Sequence, residues 1–303
     1  MIASPHIAAV LMRRASYASL GVAIILIGVK LWAYMFTDSV AMLASLLDSL
    51  LDGAASLINV FAVRVSLTPA DREHRFGHGK AEALAGLGQA FFIFASAVFV
   101  GYQAILHMLQ PMPVANSTLG IAIIVFSSVL TFALVLFQRY VVKRTQALAI
   151  AADSLHYKSD LLVNVGVLLA LALSGIAGWH LADPLIALLI AGIIMYGAWQ
   201  IIAQANAQLL DHELPEEERS RIKEIVLSHE DVRDIHELKT RISGRHRFVQ
   251  LHLELDGNMP LTKAHRIADQ VESAIHAEFP GTEVLIHQDP AGLREKHQPV
   301  GTI

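Results

Sequence analysis

The sequence predicts an all-α membrane domain of six transmembrane helices, followed by a C-terminal α+β domain. Of the 303 residues, 54% are hydrophobic and 17% are charged, whereas a soluble domain usually carries about 25% charged residues. The apolar residues form long blocks that end near residue 210, and eighteen of the 27 Asp and Glu residues follow that point. We therefore divide the chain into a membrane domain, residues 1–210, and a polar domain, residues 211–303.

Six apolar blocks are long enough to be transmembrane helices. The hydrocarbon core of a bilayer requires about 20 mostly apolar residues per helix. The predicted spans cover residues 15–36, 39–66, 82–109, 117–138, 147–175 and 182–207.

The positive charges between the spans predict the orientation of the chain. Arg13 and Arg14 precede the first span, and the loops 67–81 and 139–146 contain three Lys or Arg residues each. No Lys or Arg lies in the alternate loops, residues 37–39, 110–116 and 176–181. Because cytoplasmic loops carry the excess of Lys and Arg, both termini and the polar domain are expected in the cytoplasm.

The absence of cysteine restricts the chemistry of any metal site. With no cysteine in the chain, disulfides and thiolate sites are excluded, and a metal must be held by His, Asp or Glu. Nine of the fifteen histidines lie in residues 211–303. The net charge is −4 and the acidic excess lies in the same region, so nucleic acid is not an expected partner.

Two pairs of ionisable residues lie inside predicted spans. Asp48 and Asp52 are four residues apart in the second span, and His156 and Asp160 have the same spacing in the fifth. This spacing puts each pair on one helix face. If the two faces meet, three carboxylates and one imidazole surround one point, which suits a tetrahedral divalent cation such as zinc.

A structural explanation for these charges stays open. Asp153 and Lys158 lie on the same span, so the alternative role for Asp160 is that of a salt-bridge partner rather than a metal ligand. Long side chains such as Lys30 and Arg64 can extend to the membrane interface. Two carboxylates one turn apart repel each other, however, and ionised groups in a membrane cost several kcal/mol. These facts favour metal or proton chemistry.

The polar domain shows an αββαβ order. We predict a helix at 215–229, strands at 234–243 and 247–256, a helix at 261–278 and a strand at 283–288. Apolar residues alternate with polar ones in the second strand, which is typical of a strand that covers a core with one face.

Four motifs resemble those of the cation diffusion facilitators, specifically the bacterial ferrous-iron and zinc efflux type. They are Leu-Leu-Asp-Ser-Leu-Leu-Asp at 46–52, Phe-Gly-His-Gly-Lys-Ala-Glu at 76–82, Asp-Ser-Leu-His-Tyr-Lys-Ser-Asp at 153–160 and His-Gln-Asp-Pro at 287–290. The resemblance covers almost the whole chain. It implies a ferredoxin-like, metallochaperone-like fold for the polar domain and a homodimer in the bacterial inner membrane.

The resemblance also implies three metal sites and a dimer contact. The transport site would be formed by Asp48, Asp52, His156 and Asp160, and an aspartate at the first position resembles carriers of zinc, iron and cadmium. A loop site would be formed by Asp71, His74 and His78, although these residues alone are equally typical of a solvated loop. A binuclear cytoplasmic zinc site at the dimer interface would be formed by His236, His252, His265, His287 and Asp289, and the dimer salt bridge by Lys80 and Asp211.

These expectations amount to a divalent metal/proton antiporter that exports Zn²⁺, and also Fe²⁺ or Cd²⁺, from the cytoplasm. Metal sensing would belong to the polar domain. A sodium/proton antiporter or a magnesium channel is an alternative, but an imidazole fits those hard cations poorly. A membrane metalloenzyme is another alternative, and it requires an open coordination position and a separate acid or base.

Overall fold

A computed structural model describes residues 4–37, 40–109, 118–177 and 181–292. The chain forms two compact units, Met1–Leu209 and Leu210–Ile303. Of the loops predicted to lack positive charge, 110–116 lies outside the described residues, and 37–39 and 176–181 lie partly outside them.

The predicted fold class is confirmed. Within the described residues, the first unit contains six long helices, and the second contains two helices and three strands. The helices of the first unit are α1 (Pro5–Thr37), α2 (Val40–Ser66), α3 (Lys80–Leu109), α4 (Thr118–Thr145), α5 (Leu148–Ala177) and α6 (Ala182–Leu209).

Two helices extend well beyond their apolar blocks. The first begins at Pro5 and so includes Arg13 and Arg14, and the fourth continues past residue 138 to Thr145. Long basic side chains reach interfacial water while their backbone stays helical, so hydropathy underestimates the length of such helices.

Among the residues that the structure describes, five helices are long and apolar enough to cross a membrane. The remaining one, α5, has 30 residues. It carries Asp153, Lys158 and Asp160 in its first half, which lowers its hydropathy. The second half of α5, residues 163–177, contains no Asp, Glu, Lys or Arg, so the ionisable groups of this helix are confined to its first half.

Small residues bring α5 close to its neighbours. A Cβ atom on Gly197 of α6 would lie 2.8 Å from a methyl carbon of Leu155, and one on Gly86 of α3 would lie 3.2 Å from Leu148 Cγ. Close approach through small residues is the usual way in which helices associate in a membrane. It fixes the position of α5 against the α3 and α6 helices.

Asp153 of α5 is held by neutral donors from three other helices. Its side chain is fully buried. Its Oδ2 accepts hydrogen bonds from Ser19 Oγ of α1 and, at 2.7 Å, from Gln138 Nε2 of α4. Its Oδ1 accepts from Gln89 Nε2 of α3 at 3.3 Å. A buried polar group is costly unless it is hydrogen-bonded, so this network specifies how the four helices meet.

Tyr157 adds polar contacts from α5 to α1 and α2. Its hydroxyl lies 2.8 Å from Ser56 Oγ of α2 and donates to the Ser19 carbonyl oxygen of α1 at 3.2 Å. These contacts set the rotation of α5, and with it the direction of the neighbouring His156.

The second unit has an αββαβ order. Its elements are α7 (Glu216–Leu227), β1 (Asp234–Ser243), β2 (His246–Leu255), α8 (Leu261–Glu278) and β3 (Thr282–Pro290). In the sheet, β2 is central, antiparallel to β1 and parallel to β3. Alternate β2 residues such as Leu251 and Leu253 pack against Ile267 and Val271 of α8, which forms the core.

The Asp153 network leads to a stability prediction. Ser19→Ala removes a donor to Asp153 and an acceptor for Gln138, so we expect it to lower the free energy of unfolding by about 1–3 kcal/mol. Ser16→Ala is the matched control, because Ser16 is also buried in α1 but, among the described residues, its side chain bonds only to the Arg13 carbonyl oxygen. Denaturant unfolding of the detergent-solubilised protein measures both. Equal losses would contradict a special role for the network.

Candidate metal sites

The first candidate site lies where α2 and α5 face each other. His156 Nε2 is 2.9 Å from Asp52 Oδ1 and 3.9 Å from Asp160 Oδ2. One ligand atom from each of these three residues lies within 4.8 Å of the others. The i,i+4 spacing on α5 and the packing of two helices distant in sequence therefore bring three of the four predicted transport ligands together.

Asp48 lines the same cavity but lies outside that close group. The cavity has a volume of about 240 Å³ and is lined by Asp48, Asp52, His156 and Asp160 together with uncharged residues and Lys30. Asp48 lies one helical turn before Asp52, on the same side of α2. A change of its side-chain rotamer is the simplest movement that would add it to the group.

The hydrogen bond between His156 and Asp52 requires a proton. An unprotonated imidazole nitrogen and a carboxylate oxygen are both acceptors, and two acceptors 2.9 Å apart form a hydrogen bond only when one of them carries a proton. The same lone pairs are those that would bind a metal ion. A proton and a metal ion would therefore compete for one position.

Lys30 is a cavity residue that the sequence alone did not single out. The interface was its expected location, but its Nζ donates to Ser49 Oγ at 2.6 Å and to the Ser45 carbonyl oxygen at 3.2 Å. Ser49 lies between Asp48 and Asp52 in α2. The only sequence signal was a lysine seven residues before the end of a long apolar helix, which does not specify a partner.

The loop between α2 and α3 brings the second predicted site together. Asp71 Oδ1 is 3.5 Å from His74 Nδ1, and Asp71 Oδ2 is 3.4 Å from His78 Nε2. The N–H groups of His74 and Glu73 donate to Asp71 Oδ1, and these bonds, that of His74 first, lower the pKa of the Asp71 carboxyl. Gly77 has a φ of 76°, which allows the turn between the two histidines. Two imidazoles and a carboxylate are suitable donors for zinc.

The third candidate site is a row of histidines across the sheet of the second unit. In the strand register His236 of β1 pairs with His252 of β2, which pairs with His287 of β3. The ring centroids are 5.1 Å apart in the first pair and 4.7 Å in the second. Strand pairing alone therefore aligns three of the predicted ligands.

Asp289 connects this row. Its Oδ2 lies 2.7 Å from His252 Nδ1 and 3.2 Å from His236 Nε2, and its Oδ1 lies 3.1 Å from His287 Nε2. The Asp289 side chain is only 7% exposed. Glu254 lies 3.3 Å from His236 Nδ1 and is an acidic neighbour that the sequence did not indicate.

Three other predicted residues lie elsewhere. His265 of α8 is 71% exposed and 3.7 Å from Asp269, outside the close group formed by His236, His252 and Asp289. Lys80 begins α3 and donates to the Leu209 carbonyl oxygen at 3.2 Å. Asp211 lies 3.3 Å from Arg241 within the second unit. The roles of these three in a dimer stay predictions.

Comparison with known proteins identifies both units. A family model described as the cation efflux transmembrane domain matches residues 16–210. A second, described as the cytoplasmic domain of cation efflux proteins, matches residues 214–291.

Individual relatives match over nearly their full length. The chain is 49% identical to the cation-efflux pump FieF of Klebsiella pneumoniae subsp. pneumoniae over 283 residues, which cover 93% of this chain and 94% of that protein. It is 48% identical to FieF of Escherichia fergusonii with the same coverage. A solved CzrB chain is 37% identical, with 26% of this chain and 99% of that chain covered and a TM-score of 0.26.

The resemblance in the motifs is thus confirmed by matches that include both units. Transport rather than catalysis is the activity of the matched proteins, which excludes the metalloenzyme alternative. The chain belongs to the cation-efflux family, the cation diffusion facilitators, and is a membrane transporter whose C-terminal unit is the cytoplasmic domain of that family.

Proposed function

We propose that the chain is a divalent metal cation/proton antiporter that exports Zn²⁺, and also Fe²⁺ and Cd²⁺, from the cytoplasm. The transport ligands are Asp48, Asp52, His156 and Asp160. Three carboxylates and one imidazole form a mixed donor set that accepts zinc and ferrous iron. An oxygen-only site would suit sodium or magnesium better.

The observation that carries this proposal is the 2.9 Å contact between His156 and Asp52. The proton shared in this contact must leave before both side chains can bind metal. A metal ion that arrives from the cytoplasm would therefore release protons, and protons that arrive from outside would release the metal. Imidazole is suited to this exchange because it ordinarily titrates near pH 6.5.

Export requires the site to open alternately to the two sides of the membrane. All four ligands lie on α2 and α5, so rocking of these helices against the others would carry the site as one body. Residues 1–210 then form the transport domain. We place this domain in the bacterial inner membrane with both termini in the cytoplasm, as the distribution of Lys and Arg in the loops favours.

We assign residues 211–303 a regulatory role. The row of His236, His252 and His287 with Asp289 would bind cytoplasmic zinc, and His265 would complete a binuclear site at the interface of a homodimer. The Lys80–Asp211 salt bridge would hold the dimer. The loop ligands Asp71, His74 and His78 would form a further zinc site on the cytoplasmic side.

The transport site is tested in proteoliposomes. An inward proton gradient should drive zinc movement in the unmodified protein, and His156→Ala with Asp160→Ala should abolish it, because half of the donor set is lost. Lys158→Ala is the control, since Lys158 is exposed on the same helix and does not line the cavity. Proton-coupled zinc transport that persists in the double variant would overturn the assignment.

The regulatory site is tested through the dimer. Zinc should strengthen dimerisation of the purified protein, and His252→Ala with Asp289→Ala should remove this zinc dependence. His276→Ala serves as the control, because His276 is a half-buried residue of α8 that pairs with Glu272 outside the histidine row. Light scattering with and without zinc measures the dimer fraction. The same zinc dependence in the double variant would rule out this site as the sensor.

A further inference from the structure

Lys30 places a fixed positive charge in the metal cavity. It lies on α1, whereas the four proposed ligands lie on α2 and α5. Among the described residues that line the cavity, Lys30 is the one Lys or Arg. A charge at this depth is costly, so its retention in an apolar helix requires an explanation.

Two serines of α2 hold the Lys30 ammonium in place. Its Nζ donates to the Ser49 hydroxyl at 2.6 Å and to the Ser45 backbone carbonyl at 3.2 Å. The Ser49 side chain is 1% exposed, so the first bond is shielded from solvent. The ammonium is therefore tethered to oxygen atoms of α2 at the level of Asp48 and Asp52. Because it is held there, the carboxylates remain available to bind a cation.

The formal charges in the cavity show what the ammonium would offset. The three carboxylates of the proposed site exceed the charge of one divalent cation by one negative charge. The ammonium of Lys30 cancels that excess. The loaded cavity is then neutral, which is the state that an apolar helix bundle tolerates best.

We propose that Lys30 is a positioning residue for transport that acts as the fixed counter-charge of the metal site. This inference rests on the proposed function, because it requires the metal to bind at the quartet. The ammonium repels the bound cation through a medium of low dielectric constant, so it keeps the affinity low enough for the ion to leave. Without the ammonium, the site would bind the metal ion more tightly and release it more slowly.

The inference predicts changes of opposite sign at neighbouring residues. Lys30→Met removes the charge but keeps the length of the side chain, so zinc affinity should rise by about tenfold or more. Lys30→Arg keeps the charge and should stay near the unmodified value. Ser49→Ala releases the tether, so the ammonium can reach the carboxylates and compete with zinc, and the affinity should fall. Ser45→Ala is its matched control, because the contact with Ser45 uses the backbone oxygen.

The measurement is equilibrium zinc titration of the full-length protein in detergent. The transport site is the binding component that Asp52→Ala with Asp160→Ala removes, and only this component is compared between variants. A merely structural role for Lys30 predicts weaker binding in Lys30→Met, the opposite of the expected result. Unchanged or weaker binding in Lys30→Met would therefore overturn the inference.

Two further outcomes are decisive. If Lys30→Met does not fold, the zinc affinities of Ser49→Ala and Ser45→Ala are compared instead. Equal affinities in these two variants would reject the tethered counter-charge. If Asp52→Ala with Asp160→Ala removes no binding component, the metal does not bind at the quartet, and the inference fails together with the proposed function. Loss of the component with no effect of Lys30→Met rejects the counter-charge alone.

Discussion

The interaction on which the membrane domain depends is the hydrogen bond between His156 and Asp52. Ionisable groups in an apolar helix bundle are costly unless they form hydrogen bonds with one another or with other polar groups. These two residues form such a bond across two helices through a shared proton, and the atoms that share the proton are those that would bind a metal ion. In the proposed cycle, the same contact therefore pairs two buried ionisable groups and exchanges a proton for a metal ion.

Helix α5 carries two buried polar centres, and the side chains that surround them differ. Asp153 is surrounded by the neutral donors Ser19, Gln89 and Gln138, which fix it in place. One turn further along α5, His156 faces other ionisable groups and a cavity. The first centre fixes the helix, and the second is left with partners that an incoming cation can replace. Rigid support beside an exchangeable site is what a selective carrier requires.

The sequence predicts features that depend on local spacing. The shared face of His156 and Asp160 follows from helical periodicity, and the αββαβ order follows from the alternation of apolar residues. Contacts that depend on packing between distant segments could not be predicted. The hydrogen bond between Ser19 and Asp153, for example, joins residues that are 134 positions apart in the chain. Lys30 likewise depends on how α1 packs against α2, and the histidine row depends on strand register.

The most direct test of the central claim is a structure of the protein determined with bound zinc. The account predicts one ion in the membrane domain at about 2.0–2.2 Å from donor atoms of Asp52, His156 and Asp160, with Asp48 moved in to complete a tetrahedral set. The ion would then occupy the space of the shared proton between His156 and Asp52. An ion bound elsewhere in the membrane domain, with His156 and Asp52 still hydrogen-bonded at saturating zinc, would contradict it.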